Sequence, residues 1–360
     1  MSRPSQDWSL HGPGVRLVAT LELRQRVRSS RWIVMLVLWF ATIAVISGLT
    51  YAAIGSARSG PLMFSVVAFL VLTLGLLVAP ALSATSVNGD RSAGTLATLQ
   101  VTLLSPADIA VGKLLAAWAT ALVFLATAAP FLLWSLALGG TSPLRVLVTL
   151  VMLALMLLAV CGIALGWSAV CARAASSAVL TYLSVAGLCL FTLIFFGLSV
   201  PLVTTSDQVT VLTNPTDAEL AGVQPIDPSR CVPTPGVRQR MHTEWTWWLL
   251  AANPYVVVAD AAPASPSVDS RDPAYSGQDE DVLRLIQLGV REARDGADHV
   301  VNECWASYGD TGMPDDPADT SSIWPYGLTI ILGLGALGLA GTVQRLRTPI
   351  HRLPRGTRVA

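Results

Sequence analysis

The chain's one lysine, Lys113, closes the run "AVGK" between two long apolar stretches, and a glycine-lysine pair there invites a phosphate-loop reading. Such a loop needs a glycine five residues before the pair and a serine or threonine after it, for backbone cradling and a magnesium ligand. Ala107 and Leu114 stand at those positions, so this motif does not bind ATP and energy must come from elsewhere. Other reactive types are sparse. The histidines, His11, His242, His299 and His351, are scattered and read as solvated, and no H-E-x-x-H, G-x-S-x-G or paired-cysteine metal spacing occurs. Cys161, Cys171 and Cys189 fall in apolar runs, where a thiol behaves as a small hydrophobe. Cys231 and Cys304 lie together in one polar block, and a disulfide is expected if that block faces an oxidising compartment, with two free thiols as the alternative.

The elements that must carry these residues are membrane helices. Only 13% of the 360 residues are charged and the mean hydropathy is +0.59, against about 25% charged in a soluble domain. Six apolar runs, at about 32–54, 62–87, 109–138, 146–172, 177–200 and 323–343, are each long enough to cross a hydrocarbon core of roughly 30 Å as a helix. Pro80 and Pro130 fall inside the second and third, where kinks are expected. Their cores contain no Asp, Glu, Lys, Arg or His, with Lys113 and Arg145 near span ends. Ion-coupled transporters and intramembrane hydrolases need ionisable groups at depth, so both classes are disfavoured.

The net charge of zero hides a division. Residues 201–322 hold 19 acidic residues and 7 arginines, a balance of −12, and the remainder carries +12. Five arginines between Arg16 and Arg31 precede the first run, which reads as a retained first helix rather than a cleaved signal peptide. With the N-terminus inside, Arg91, Lys113, Arg173 and the arginines from Arg345 to Arg358 also fall on the inner side, and the short outer loops carry only Arg58 and Arg145. This satisfies the positive-inside rule at every crossing and places both termini in the cytoplasm. The stretch "WTWWLLAANPYVVVADAA" (245–262) is a possible seventh span, but it would put the basic C-terminus outside. It reads instead as a helix–break–helix on the outer interface, with Trp245, Trp247, Trp248 and, at the next span, Trp324 at headgroup depth.

The expected fold class is therefore an all-α polytopic membrane protein. It has a cytoplasmic N-terminus with an interfacial helix (1–31), five spans (32–200), a mixed or irregular extracytoplasmic block (201–322), a sixth span (323–344) and a basic cytoplasmic tail (345–360). Within the outer block, 281–304 has the apolar spacing of a helix, with Leu283, Ile286 and Val290 on one side.

Between spans two and three lies "NGDRSAGTLATLQVTLLSPADIAVGK" (88–113). Asn88-Gly89 reads as a turn pair, and Asp90 and Arg91 begin a short helix with an acid at its positive end. Leu96, Leu99 and Leu103 give that helix one apolar side. Ser105 as N-cap, Pro106 at N1 and Asp108 at N3 then start the third span.

This stretch resembles the ABC-2 type permease motif: an acidic-Arg-x-x-Gly-Thr-Leu helix, Leu-Leu-x-x-Pro, then Ile-x-x-Gly-Lys. The matching residues are Arg91, Gly94, Thr95, Leu96, Leu103, Leu104, Pro106, Ile109, Gly112 and Lys113. Asp90 stands where the family more often has Glu, and the Leu-Leu to Pro spacing is slightly different. The resemblance implies a bacterial plasma-membrane exporter subunit that is catalytically inert. About 89–104 would be a coupling helix seated on a separate ATPase chain, present in two copies, which binds the ATP and magnesium; no cofactor is expected in this chain. A second permease subunit, identical or not, would complete the pathway, and 15–30 would be the family's connecting helix. The bilayer and a cell-envelope partner for the outer block are the other expected partners, with no role for nucleic acid. Two rival readings stand beside it: a subunit that transmits ATPase motion to an outer partner without moving cargo, and a polytopic enzyme with an extracytoplasmic active site.

Overall fold

The structure is a computed structural model and describes residues 8–28, 30–54, 59–94, 104–213, 232–263, 281–296, 300–303 and 321–347. Six helices are long and apolar enough to cross a membrane: Trp32–Ala53, Gly60–Ser92, Pro106–Ala137, Pro143–Val170, Ala174–Leu202 and Trp324–Leu346. The chain is thus a polytopic helical membrane protein. Its described helices are α1 (Gly12–Val27), α2 (Ser30–Ile54), α3 (Ser59–Ser83), α4 (Asn88–Ser92), α5 (Pro106–Ala137) and α6 (Pro143–Val170). They continue as α7 (Ala174–Ala186), α8 (Thr192–Ser199), α9 (Trp248–Ala251), α10 (Pro254–Ala261), α11 (Val282–Asp295) and α12 (Trp324–Leu346). Pro80 and Pro130 sit inside α3 and α5, and neither ends its helix.

Helices α3, α5 and α6 form the interior, through Phe64, Val67 and Val71, Phe124 and Leu132, and Leu153 and Met156. More than half of the apolar stretch of each is buried, against 6% for the span built from α7 and α8, which lies at the periphery. Helix α12 packs against α6 through glycines. A Cβ on Gly166 would come within 2.6 Å of Gly338 Cα, and one on Gly162 within 2.6 Å of Gly335 O. Small residues at such a crossing let two backbones approach, which is what drives helix association where solvent offers no hydrophobic gain.

At one end of the bundle β1 (Thr204–Thr213) pairs antiparallel with β2 (Val232–Met241) and parallel with β3 (Val300–Asn302), in the order β2-β1-β3. This sheet corrects the expectation of a helix over 281–304. Helix α11 stops at Asp295, Gly296 turns the chain at φ 78°, and Val300 and Val301 pair with β1. β-branched residues favour such a strand.

The helix–break–helix at 245–262 is present, with Trp248 of α9 exposed and most of α10 buried against the spans. The break residue Asn253 accepts from Tyr255 N–H at 2.9 Å, capping α10, and its amide donates to Cys189 O at 2.9 Å and Thr192 Oγ1 at 3.0 Å. Cys189 belongs to a π turn (Gly187–Phe191) midway along the fifth span, where the wider turn loosens the regular backbone ladder. Tyr255 donates to Thr73 Oγ1 at 2.9 Å and stacks on Phe69. Thr73 is about 21 Å along α3 from its first residue at 1.5 Å per residue. The pair α9–α10 is therefore tucked between the spans, because its buried amide and phenol find partners there. Trp245 and Trp248 are exposed, whereas Trp247 and Trp324 are half-buried.

Arg145, expected in a short outer loop, is inside, and so are Asp281 and Asp260. Arg145, assigned to a short loop, lies in the first turn of α6, fully buried, where it pairs with Asp281 and faces the Phe64 ring at 5.2 Å. Asp281 also accepts from Ser65 and caps α11 through Leu283 N–H, so one carboxylate bolts α11 to α3 and α6. Asp260 is buried at the end of α10, where it accepts from Arg291 and from the backbone N–H groups of Ile323 and Trp324. It thereby fixes the start of α12. A buried carboxylate persists only with such a full set of donors.

Candidate functional site

The start of α5 is built as its sequence dictates. Ser105 Oγ accepts from Asp108 N–H at 3.0 Å and Asp108 accepts from Ser105 N–H at 3.1 Å, a reciprocal capping box, with Pro106 in the first turn. The same two side chains capture the head of α1. Asp108 accepts from His11 N–H at 2.7 Å and meets His11 Nδ1 at 3.2 Å, while Ser105 Oγ donates to Ser9 O at 2.6 Å.

From there α1 follows α5 in the same direction. A Cβ on Gly14 would lie 3.2 Å from Asp108 Oδ2, and one on Gly112 only 2.7 Å from Val18 Cβ. Further along, Glu22 pairs with Lys113, and Arg26 donates to Thr120 Oγ1 and to Leu82 O, each at 3.1 Å. Glycine at 112 is what lets the helices touch. The exposed side of α1 carries Leu17, Leu21, Arg16, Arg24 and Arg28.

Lys113 is the centre of this arrangement. Its side chain is 1% exposed. Its ammonium donates to Glu22 Oε1 of α1, to Asp90 Oδ2 of α4 at 2.5 Å and to Ser86 O, in the turn after α3, at 3.0 Å. A lysine ammonium has three N–H donors, and all three are engaged. Arg26 Nη2 lies 3.9 Å from Glu22 Oε2, so Arg26, Glu22, Lys113 and Asp90 form one balanced charge chain. With its donors so engaged, this lysine joins three segments. Among the described residues no group of histidines, cysteines and carboxylates is placed to hold a metal ion.

The expected turn pair is displaced. Residues 84–87 make the turn, and Asn88 opens α4 as a buried residue. Ser168 Oγ of α6 accepts from Val87 N–H at 2.9 Å and Asn88 N–H at 3.2 Å, which supplies donors with a partner at the helix start. Among the described residues, neither polar atom of the buried Asn88 side chain has a hydrogen-bond partner. Arg91 is exposed, and α4 ends at Ser92, two residues before Gly94 turns at φ 73°. Thr95, Leu96, Leu99 and Leu103 lie outside the described residues, as do Cys231 and Cys304.

Of the residues singled out from the sequence, the structure pairs Ser105 with Asp108 and, separately, Asp90 with Lys113. Sequence reasoning missed Glu22, Arg26, His11 and Ser86. Glu22 carried a signal, being the lone acid in an arginine-bearing helix. A scan of protein-family models finds no match to this chain, and a search of curated proteins finds none either.

Proposed function

We propose that this chain is the membrane-spanning subunit of an ATP-driven exporter of the ABC-2 type, working with an ATPase carried on another chain. The observation that supports it most is the Lys113 joint. The stretch whose residues resemble that family's coupling segment is tied by Asp90 and Lys113 to the first turns of the third span and by Glu22 to α1. A force applied to the segment after α4 therefore reaches α5 and α1 together.

On this reading the α1 end faces the cytoplasm of a bacterium and the sheet end faces out. The distribution of arginines supports that orientation. The chain itself needs no cofactor and performs no chemistry. Two subunits, identical or not, enclose a path for an amphipathic or hydrophobic cargo, consistent with spans whose cores lack charge.

A second reading keeps the same joint but moves no cargo, transmitting ATPase motion to an extracytoplasmic partner. The bolts from the sheet end into the spans, Arg145 to Asp281 and Asn253 to Cys189 O, favour it as a path to the outer surface. The two are separated by the complex isolated from native membranes and placed in liposomes. ATP-dependent movement of a co-purified lipid-like molecule supports export. ATP turnover that changes only the binding of an outer partner supports transmission, and the absence of any co-purifying ATPase contradicts both.

A further inference from the structure

Three segments meet at His242, between β2 and the turn Thr243–Trp245. Its Nδ1 is 2.6 Å from Glu244 Oε1, and its Nε2 is 2.8 Å from Asp207 Oδ2 and 2.9 Å from Thr205 Oγ1 on β1. The ring stacks on Trp245, 4.6 Å between centroids and 11° from parallel. Its backbone N–H donates to Val203 O at 2.9 Å. The ring is half-buried and bonded at both nitrogens, where the sequence suggested a solvated side chain.

The surrounding charges come from every neighbouring element. Asp207 stands on β1, and Arg240 of β2 is 3.8 Å from it. Glu244 belongs to the turn and packs against Gly296, where α11 ends. The last turn of α11 adds Arg291, Glu292, Arg294 and Asp295. Arg291 is on Asp260, Arg294 bonds Ser321 O and faces the Trp247 ring, and Glu292 and Asp295 are exposed.

A neutral imidazole has one donor and one acceptor, whereas carboxylates at both ring nitrogens call for two donors. Only the imidazolium satisfies both. The carboxylates sit on opposite edges of the ring and do not converge on a common point, so the cluster is not a metal site. We infer that His242 is a proton-operated latch that ties the base of the β1–β2 hairpin to the turn feeding α9–α10, and releases one tie when the ring loses a proton. The latch stands on this geometry alone, whether or not the chain exports a cargo. Its output is the pair α9–α10, which begins three residues after Trp245 and reaches Cys189 O through Asn253.

The electrostatics agree in sign. The bonds to Glu244 and then Asp207 hold the His242 pKa above its ordinary value. The bond to His242 holds Asp207 below the usual carboxylate range. Partial burial pushes Glu244 up, but the bond to His242 and the nearby charges outweigh it and leave Glu244 low. The histidine's contribution is complete below about pH 6.5 and is lost as pH rises through its raised folded value. The carboxylates contribute above about pH 4, and that part is lost only as pH falls through their depressed values. The latch is therefore closed in mildly acidic medium and opens toward alkaline pH.

The test is hydrogen exchange of the peptides spanning 243–262, in the full-length protein in nanodiscs, at about pH 5.5, 7 and 8.5, corrected for intrinsic exchange. Wild type should lose protection as pH rises over that range. His242→Gln should be less protected at acidic pH and flat across the range. Asp207→Asn, which keeps the ring but removes one acceptor, should move the transition to lower pH. A flat wild-type profile overturns the latch whatever the variants do, as does a His242→Gln profile with the wild-type slope.

Discussion

Lys113 Nζ lies 2.5 Å from Asp90 Oδ2, and the same ammonium is bonded to Glu22 of α1. One buried cation therefore holds two helices that enter from different parts of the sequence, and each acid is the only one in its helix. Removing one partner of a buried pair leaves an uncompensated charge, which costs far more than replacing the whole set by apolar groups.

Lys113→Met should be the most damaging change at the joint, because it strands two carboxylates. The carboxylates left behind are partly exposed and Glu22 keeps Arg26, so the loss should fall below the roughly 3–5 kcal/mol of a fully buried stranded charge. Glu22→Gln or Asp90→Asn alone should cost less, since both acids are partly exposed. Combining Lys113→Met with both neutralised acids should recover much of the loss. Thermal unfolding in one detergent ranks the four; a triple variant no better than Lys113→Met contradicts the charge account.

Asn88 makes the opposite prediction. Its carboxamide is buried without a partner among the described residues, at a cost of about 1–3 kcal/mol for an unmade bond. Asn88→Leu should therefore leave stability unchanged or raise it. A clear fall in the melting temperature would mean that the carboxamide has a partner in the folded protein.

The placement of α9–α10 depends on Asn253. Asn253→Leu removes the cap of α10 and both bonds to the fifth span, a loss of about 1–3 kcal/mol. Exchange protection should fall in 248–261 and around 187–192 together. Protection lost in only one of the two segments would show that they are not joined through this side chain.

Glycines at the α6–α12 crossing are predicted to tolerate nothing larger. Gly338→Leu should separate the two helices, while Gly333→Leu, where a Cβ would meet nothing within 4 Å, should be accepted. Yield of monodisperse protein and its melting temperature read the difference.

The spans were legible because a crossing helix must satisfy its backbone within itself and some twenty consecutive apolar residues advertise one. The start of α5 was legible for a local reason: Ser105, Pro106 and Asp108 act within a single turn. Lys113 was visible as a lone charge, but not as a joint, since Glu22 is 91 residues away and only packing brings it near. The same holds for Arg145, whose partner Asp281 is 136 residues on, and for His242, whose carboxylate Asp207 comes from the neighbouring strand. The placement of α9–α10 escaped because its partners are a carbonyl at a π turn and a threonine in another span. Neither marks itself in a hydropathy pattern.

The central claim is that the segment after α4 receives work from a separate ATPase. Its most direct test is ATP hydrolysis by the ATPase that co-purifies from native membranes, measured with the wild-type chain and with Leu96→Asp/Leu99→Asp in liposomes. Turnover should be stimulated by wild type and not by the variant, while the variant inserts normally and keeps its melting temperature. Stimulation that survives in the variant would contradict the account.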